Sequence, residues 1–323
     1  MNVNTGAPSI PVLFCIDDAF WQHLAVSIIS LLENNPRNTF RIFVVSAAEM
    51  DSAAIAKLKS MIEEKNSYLE TIVYSQATEY QHLPTRNHLT FAMYLRLFMT
   101  DYLDSSLDKI LYLDSDIIIC SDIEKLWSLP LGDAYVGAAR EPYDQRQRDP
   151  LGFSATDFYA NSGVLLVNLK QWRTDEVLPR FLDFAEKNQA IISSPDQDII
   201  NSVFRGRILD IGYQWNWQAL FPRFAPAELG MDRETFASLR RMPKIVHFTS
   251  PYKPWFYRWQ PHYREMYYRY LAQTPWAAYE PPDRSFVNLP LRLVRRLQCA
   301  LEWHLPSFAR ALRDFKGAFY VRP

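Results

Sequence analysis

Through the first half of the chain, short apolar runs alternate with amphipathic stretches, the pattern of βαβ units built around a mainly parallel sheet. Val12 to Ile16 predicts a buried strand, and Phe20 to Leu32 a helix that stops before Asn34, Asn35 and Pro36. Phe40 to Val45 predicts a second strand, Asp51 to about Glu64 a helix, and Leu69 to Tyr74 a third strand. Thr90 to Tyr102 predicts a strongly apolar helix, and Lys109 to Leu113 a strand that stops at Asp114. Val136 to Ala139 and Val164 to Asn168 add two more strands. Between them, Pro142 to Thr156 is polar and rich in Asp, Arg and Gln, which predicts a mobile loop beside a site.

A chain of 323 residues, 48% of them hydrophobic, suits one large α/β body with an appendage. We place the body at residues 1–280 and a helical tail at 281–323. Cys15, Cys120 and Cys299 are odd in number and far apart, which argues against a disulfide framework and for a reducing compartment. The first residues, MNVNTGAPSIPVLF, lack a basic segment followed by a long apolar one. No apolar run reaches the roughly 18 residues of a membrane span. A cytoplasmic protein is expected, free or attached to a membrane surface.

Charge is unevenly distributed. From Arg284 onward eight basic residues face only Glu302 and Asp314, so this segment carries +6 in a chain whose total is -1. An acidic body makes nucleic acid an improbable partner. In the tail, Leu293, Val294, Leu297, Ala300 and Leu301 follow helical spacing, with Arg292, Arg295 and Arg296 largely on the other flank. After Pro306, Ser307 can cap a second stretch in which Phe308, Ala311, Leu312, Phe315 and Phe319 recur. Such a basic amphipathic pair predicts attachment to an anionic membrane surface, the alternative being packing on the body or on a second subunit.

Four segments carry candidate chemistry. In Leu111 to Ile119 two apolar runs abut at Asp114-Ser115-Asp116. Residues two apart in an extended chain share a side, so both carboxylates can meet one hard divalent cation. The plain alternative is a surface turn. His247 ends an apolar stretch and can complete such a site, its imidazole favouring Mn²⁺ over Mg²⁺, and Lys253 can meet a phosphate. The alternatives are a structural histidine and a solvated lysine. Asn161, Ser162 and Gly163 precede an apolar run, where the glycine permits close approach to a ligand or simply makes a turn. Ser194, Pro195 and Gln197 form a capping box, with Asp196 and Asp198 complementing the helix dipole, and this explains the segment without catalysis.

Taken in order, these segments resemble the family 8 glycosyltransferases, in particular the bacterial galactosyl- and glucosyltransferases of lipopolysaccharide outer cores. The resemblance runs from about Val12 to Trp255. It rests on Ile16-Asp17-Asp18, Tyr94 to Leu97, Tyr112 to Asp116, Asn161 to Leu169, Asp196 to Asn201 and His247 to Trp255. It implies an α/β fold of the GT-A nucleotide-diphospho-sugar transferase type, a mainly parallel central sheet flanked by helices. It further implies retaining transfer of galactose or glucose from a UDP-sugar to a lipid-linked lipopolysaccharide or lipo-oligosaccharide core, on the cytoplasmic face of the bacterial inner membrane. A nucleotide-sugar hydrolase or a non-catalytic binding module is the alternative.

The resemblance also assigns roles. Asp114, Asp116 and His247 hold Mn²⁺, with Mg²⁺ as the alternative, and Ser115 lies between the carboxylates. Asp17 accepts from uracil, with Cys15 and Ile16 beside it and Phe20 as the stacking aromatic. Arg96 and Lys253 contact the donor sugar and diphosphate. Asn161, Asp196 and Gln197 line the hexose, with Gln197 on the face of a nucleophile, and Glu141 stands near donor and acceptor where relatives often carry Asp. Ser250 occupies a position that is usually glycine, and a positive-φ backbone there would cost about 1 kcal/mol.

Overall fold

The computed structural model of the chain describes residues 9–80, 83, 91–142 and 144–319. Thr90 of the expected apolar helix and Tyr143 of the expected loop lie outside them, as do the side chains of the expected tail anchors Phe315 and Phe319.

Ten strands occur among the described residues: β1 (Ile10–Cys15), β2 (Phe40–Ser46), β3 (Tyr68–Val73), β4 (Ile110–Leu113), β5 (Ile117–Ile119), β6 (Val136–Arg140), β7 (Ala160–Val167), β8 (Ile208–Asp210), β9 (Trp217–Gln218) and β10 (Ile245–His247). Seven form one sheet in the order β3-β2-β1-β4-β7-β6-β8, and β5-β10-β9 form a small second sheet. Only β7 runs antiparallel to its neighbours in the large sheet, so the sheet is mainly parallel as expected. Its strands read as continuous apolar runs because helices cover both faces. Val12 and Phe14 pack with the helices Trp21–Asn34 and Ser52–Glu63, whereas Leu13 packs with Val177–Lys187 and Pro195–Val203.

Three expectations change. The segment ending at Tyr102 is a 3₁₀ run, Phe91–Leu97, followed by one short α-turn, Met99–Tyr102. Tyr94, Leu95, Leu97, Phe98 and Met99 are all buried, so enclosure from every side, not helical amphipathicity, accounts for the apolar composition. The strand expected at Val164 begins four residues earlier, at Ala160, and Asn161 to Gly163 lie inside it. Its end is also earlier, since the Asn168 side chain caps the helix Leu169–Thr174 by accepting from Gln171 N.

The third change concerns the tail, whose helices span Leu289–His304 and Pro306–Phe319. The first docks with its polar side inward. Glu302 is buried against Arg223 at 3.0 Å and His262 at 3.2 Å, while Arg292 and Arg295 lie over the rings of Tyr257 and Trp259. Arg292 and Arg295 therefore face the body. Leu293, Val294 and Leu297 point outward, 57%, 63% and 64% exposed.

Candidate active site

Parallel β1 and β4 are neighbours from which the chain departs in opposite directions, the switch point where open α/β sheets bind ligands. A cleft of about 300 Å³ lies there. From the end of β1 it takes Cys15, Ile16, Asp17 and Phe20; from the end of β4, Asp114, Ser115 and Asp116. Strand β7 adds Asn161 and Ser162, the 3₁₀ run adds Arg96, and the helix Pro195–Val203 adds Asp196 and Gln197. His247, Thr249 and Lys253 close it beyond β10.

Asp114 and Asp116 come together through a turn at Ser115-Asp116, not through an extended chain as expected. The helix Trp21–Asn34 fixes that turn: Ser27 Oγ donates to the carbonyls of Ser115 and Ile117, each at 2.8 Å. Register between β10 and β5 pairs His247 with Ile117 and sets the imidazole over the carboxylates. Nε2 of His247 lies 3.5 Å from Asp114 Oδ2 and 3.2 Å from Asp116 Oδ1. The three ligand atoms fall within 4.8 Å of one another, a set of two hard oxygens and one imidazole that fits a divalent transition cation.

Gly163 makes this possible. A Cβ there would lie 2.6 Å from Asp114 Oδ2 and closer still to His247 Cε1. The glycine admits the ligating side chains; the expected reading was a turn or an approach to the ligand itself.

Positive charge already fills the cluster. Lys253 Nζ donates to Asp116 and to the Phe248 carbonyl, and Arg96 reaches Asp114 Oδ1 at 2.9 Å and Asp196 Oδ2 at 3.0 Å. Burial opposes the charge on His247, but Asp116 and Asp114 outweigh it and push the imidazole up to about 9. Burial likewise opposes ionisation of both aspartates, yet Lys253 and His247 hold Asp116, and Arg96 holds Asp114, below the ordinary carboxylate range. A cation held by Asp114, Asp116 and His247 would have to displace the imidazole proton and compete with Lys253 for Asp116.

Amides orient the imidazole from behind. Asn216 Oδ1 accepts from His247 Nδ1 at 2.8 Å, which leaves Nε2 facing the carboxylates. Asn216 Nδ2 donates to Asn161 Oδ1 at 2.8 Å, and Asn161 Nδ2 donates to Glu141 at 2.8 Å and to Gln197 Oε1 at 3.2 Å. Gln218 Nε2 also donates to Glu141 at 2.6 Å, and Gln218 Oε1 accepts from Thr249 Oγ1 at 3.1 Å. Glu141 thus sits beside Asn161 and Gln218, set back from the residues that line the cleft; burial raises its pKa. Asn216, Gln218 and Thr249 were missed. For the two amides the signal was their alternation with buried tryptophans in Trp215-Asn216-Trp217-Gln218.

The capping-box reading does not hold. The Ser194 side chain makes no cap bond, and Asp198 instead accepts from the N–H groups of Ser193 and Ser194 at 2.7 and 2.9 Å. Gln197 turns inward and accepts from Ser162 N at 3.2 Å, while Ser162 Oγ donates to Asp196 at 2.7 Å. All three first-turn residues Asp196, Gln197 and Asp198 are buried, where a dipole-complementing pair would face water.

On the β1 side, Asp17 caps the 3₁₀ turn Asp18–Phe20 by accepting from Ala19 N at 3.3 Å. Phe20 stands edge-on to Trp255, and the Cys15 thiol is buried and pushed up to about 12. Ser250 does not line the cleft; its hydroxyl accepts from Tyr252 N at 3.2 Å. Among the described non-glycine residues only Asn66, Glu176 and Tyr263 have positive φ, so the strain expected at Ser250 does not arise.

The Glycosyl transferase family 8 model matches residues 11–258, a segment that contains the whole cleft. General stress protein A of Bacillus subtilis (strain 168) is 25% identical over 278 residues, which cover 82% of this chain and 94% of that protein. A lipopolysaccharide 1,2-glucosyltransferase of Escherichia coli (strain K12) is 25% identical over 292 residues, 88% of this chain and 84% of its own. In three dimensions the chain superposes on the galactosyltransferase LgtC, solved with donor and acceptor sugar analogues, with a TM-score of 0.71 and 22% identity over 82% of this chain and 96% of that one. The fold is the GT-A fold, and the chain belongs to glycosyltransferase family 8.

Proposed function

We propose that the chain is a retaining hexosyltransferase that moves galactose or glucose from a UDP-sugar to a saccharide of lipopolysaccharide or lipo-oligosaccharide core, with Mn²⁺ at Asp114, Asp116 and His247. The observation that carries this reading is the convergence of that cluster with Arg96 and Lys253 in one cleft at the switch point of the sheet. The ion would supply Lewis-acid stabilisation to the departing diphosphate. Lys253, freed from Asp116, adds a point charge to the same oxygens. Asp17 and Phe20 face the base, and Asn161 and Gln197 hold the hexose.

Retention needs either a covalent intermediate or attack on the face the diphosphate leaves. On the hexose side Asp196 is committed to Arg96 and Ser162, and Gln197 offers a neutral amide. Neither is a strong nucleophile as placed. Same-face attack follows, with the acceptor's proton passing to the leaving phosphate oxygen.

The outward apolar side of the tail, set in a segment of net charge +6, fits a peripheral position on the cytoplasmic face of the bacterial inner membrane. Among the described residues no helix is long and apolar enough to cross a membrane. On this reading residues 1–280 are the catalytic body and 281–323 the attachment segment, and the acceptor is lipid-linked.

The test is a set of radiolabelled UDP-hexoses against truncated lipo-oligosaccharides, with Mn²⁺ and with chelator. Acceptor-linked hexose that disappears with chelator supports the reading. Free hexose with every acceptor makes the chain a hydrolase, and donor binding without turnover makes it a binding module.

A further inference from the structure

At the junction of body and tail lies a second cavity, open to solvent and of about 320 Å³, lined by Tyr257, Arg264, Tyr268, Pro281, Arg284 and Arg292. Its volume falls within the roughly 300–1,000 Å³ typical of small-ligand sites. Three guanidinium groups converge there with little to neutralise them. Arg284 is partnered by Glu280 at 2.6 Å, but among the described residues neither Arg264 nor Arg292 has a carboxylate partner. The nearby Asp283 is already engaged, accepting from the N–H groups of Tyr257 and Arg258 at 2.5 and 3.1 Å.

Aromatic faces hold these guanidiniums in place without consuming their charge. Arg264 lies 4.2 Å from the centre of the Tyr268 ring and Arg292 4.4 Å from that of Tyr257. Arg264 donates one N–H to Tyr268 Oη at 2.9 Å, while its buried Nε has no partner. A buried guanidinium N–H left unpaired is costly unless a ligand accepts from it. Burial, with the charge of Arg292 adding to it, lowers the pKa of Arg264 although Asp283 pulls the other way, and an arriving anion would offset the repulsion from Arg292.

We propose that this cavity is a phosphate-binding site, in which Arg264 and Arg292 grip the tetrahedral oxyanion of a phosphate ester through the fork geometry that suits guanidinium to phosphate. The favoured source is a phospholipid headgroup. Phe286 and Val287, 94% and 84% exposed, lie in the chain between Arg284 and Arg292, so apolar side chains accompany the anion site as acyl chains accompany a headgroup. The family match ends at residue 258, so all three arginines lie beyond it.

The full-length protein is titrated with inorganic phosphate and, separately, floated with vesicles of phosphatidylcholine alone or mixed with phosphatidylglycerol. Arg264→Gln/Arg292→Gln is expected to bind the mixed vesicles about tenfold more weakly than wild type. Arg296→Gln removes an exposed charge from the same helix outside the cavity and is expected to bind nearly as wild type. Thermal unfolding checks that the variants fold, and Arg292→Gln alone serves should the double variant not fold. A matching loss with inorganic phosphate places recognition in the phosphate group; a loss confined to vesicles assigns the headgroup. Equal weakening by Arg292→Gln and Arg296→Gln, or no binding of wild type to any anionic phosphate probe, overturns the proposal.

Discussion

At the scale of single residues, the cleft is a problem of charge held in a small space. Asp116 is shared between His247 and Lys253, so Asp116→Asn leaves two cations facing one neutral amide and removes a ligand charge without changing shape. Transfer is expected to fall by at least the roughly 3–4 kcal/mol typical of a lost electrostatic group, while circular dichroism stays unchanged. Wild-type turnover in that variant would remove Asp116 from the metal site. Gly163 tests the same site from the backbone. Because a Cβ there invades both Asp114 and His247, Gly163→Ala should weaken Mn²⁺ binding by about 10–100-fold, the range for disturbed supporting groups. Manganese paramagnetic titration reads this directly, and unchanged affinity would mean that the two side chains do not share the ion.

At the scale of elements, the tail helix Leu289–His304 is held by a buried carboxylate, and that contact has a pH dependence. Burial opposes the charge on Glu302, but the hydrogen bond with His262 and the charge of Arg223 outweigh it and lower its pKa below the ordinary 4.5 of a glutamate. A depressed carboxylate contributes stability above its unfolded pKa and loses it as pH falls through the folded one. Docking of the tail should therefore hold at neutral pH and weaken below about pH 4.5. Glu302→Gln should reproduce the acid state at neutral pH, at about 1–3 kcal/mol, seen as faster proteolysis within the tail. Proteolysis that ignores both changes would rule Glu302 out as the latch. This helix also marks where sequence reading runs out. Strands β1, β2 and β4 were legible because burial on both faces makes each a continuous apolar run. The Asp114–Asp116 pair was legible because it interrupts two such runs, although the turn that joins its carboxylates was not. The inward side of the tail helix was not, because Arg292 and Arg295 settle on aromatic rings of the body that lie far from them in the chain. Local spacing reports an amphipathic helix but not which face the rest of the protein covers. Gln197 was obscured in the same way: a capping box is a local pattern, and the partners that turn the side chain inward, Asn161 and Ser162, come from another strand.

At the scale of the whole molecule, an acidic body carries the cleft and a segment of net charge +6 carries an outward apolar stripe. On the proposed reading of the tail, these two properties would make separable contributions to membrane attachment. Each basic residue near an anionic surface contributes about 1 kcal/mol, a term that fades as salt shortens the Debye length. Each inserted leucine-sized side chain contributes roughly 1.5–3 kcal/mol that salt does not screen. Removing the tail would confuse the two, since Asp283 and Glu302 are bonded into the body and their loss disturbs it. Substituting Val294 and Leu297 does not, because both are more than 60% exposed in the free protein. Val294→Gln/Leu297→Gln should therefore turn over donor at the wild-type rate yet bind anionic vesicles at least about tenfold more weakly at every salt concentration, with the salt slope unchanged. Cosedimentation across a salt series measures both quantities. A steeper slope with unchanged low-salt binding would mean that charge alone holds the tail to the surface, and that the outward leucines await a protein partner instead.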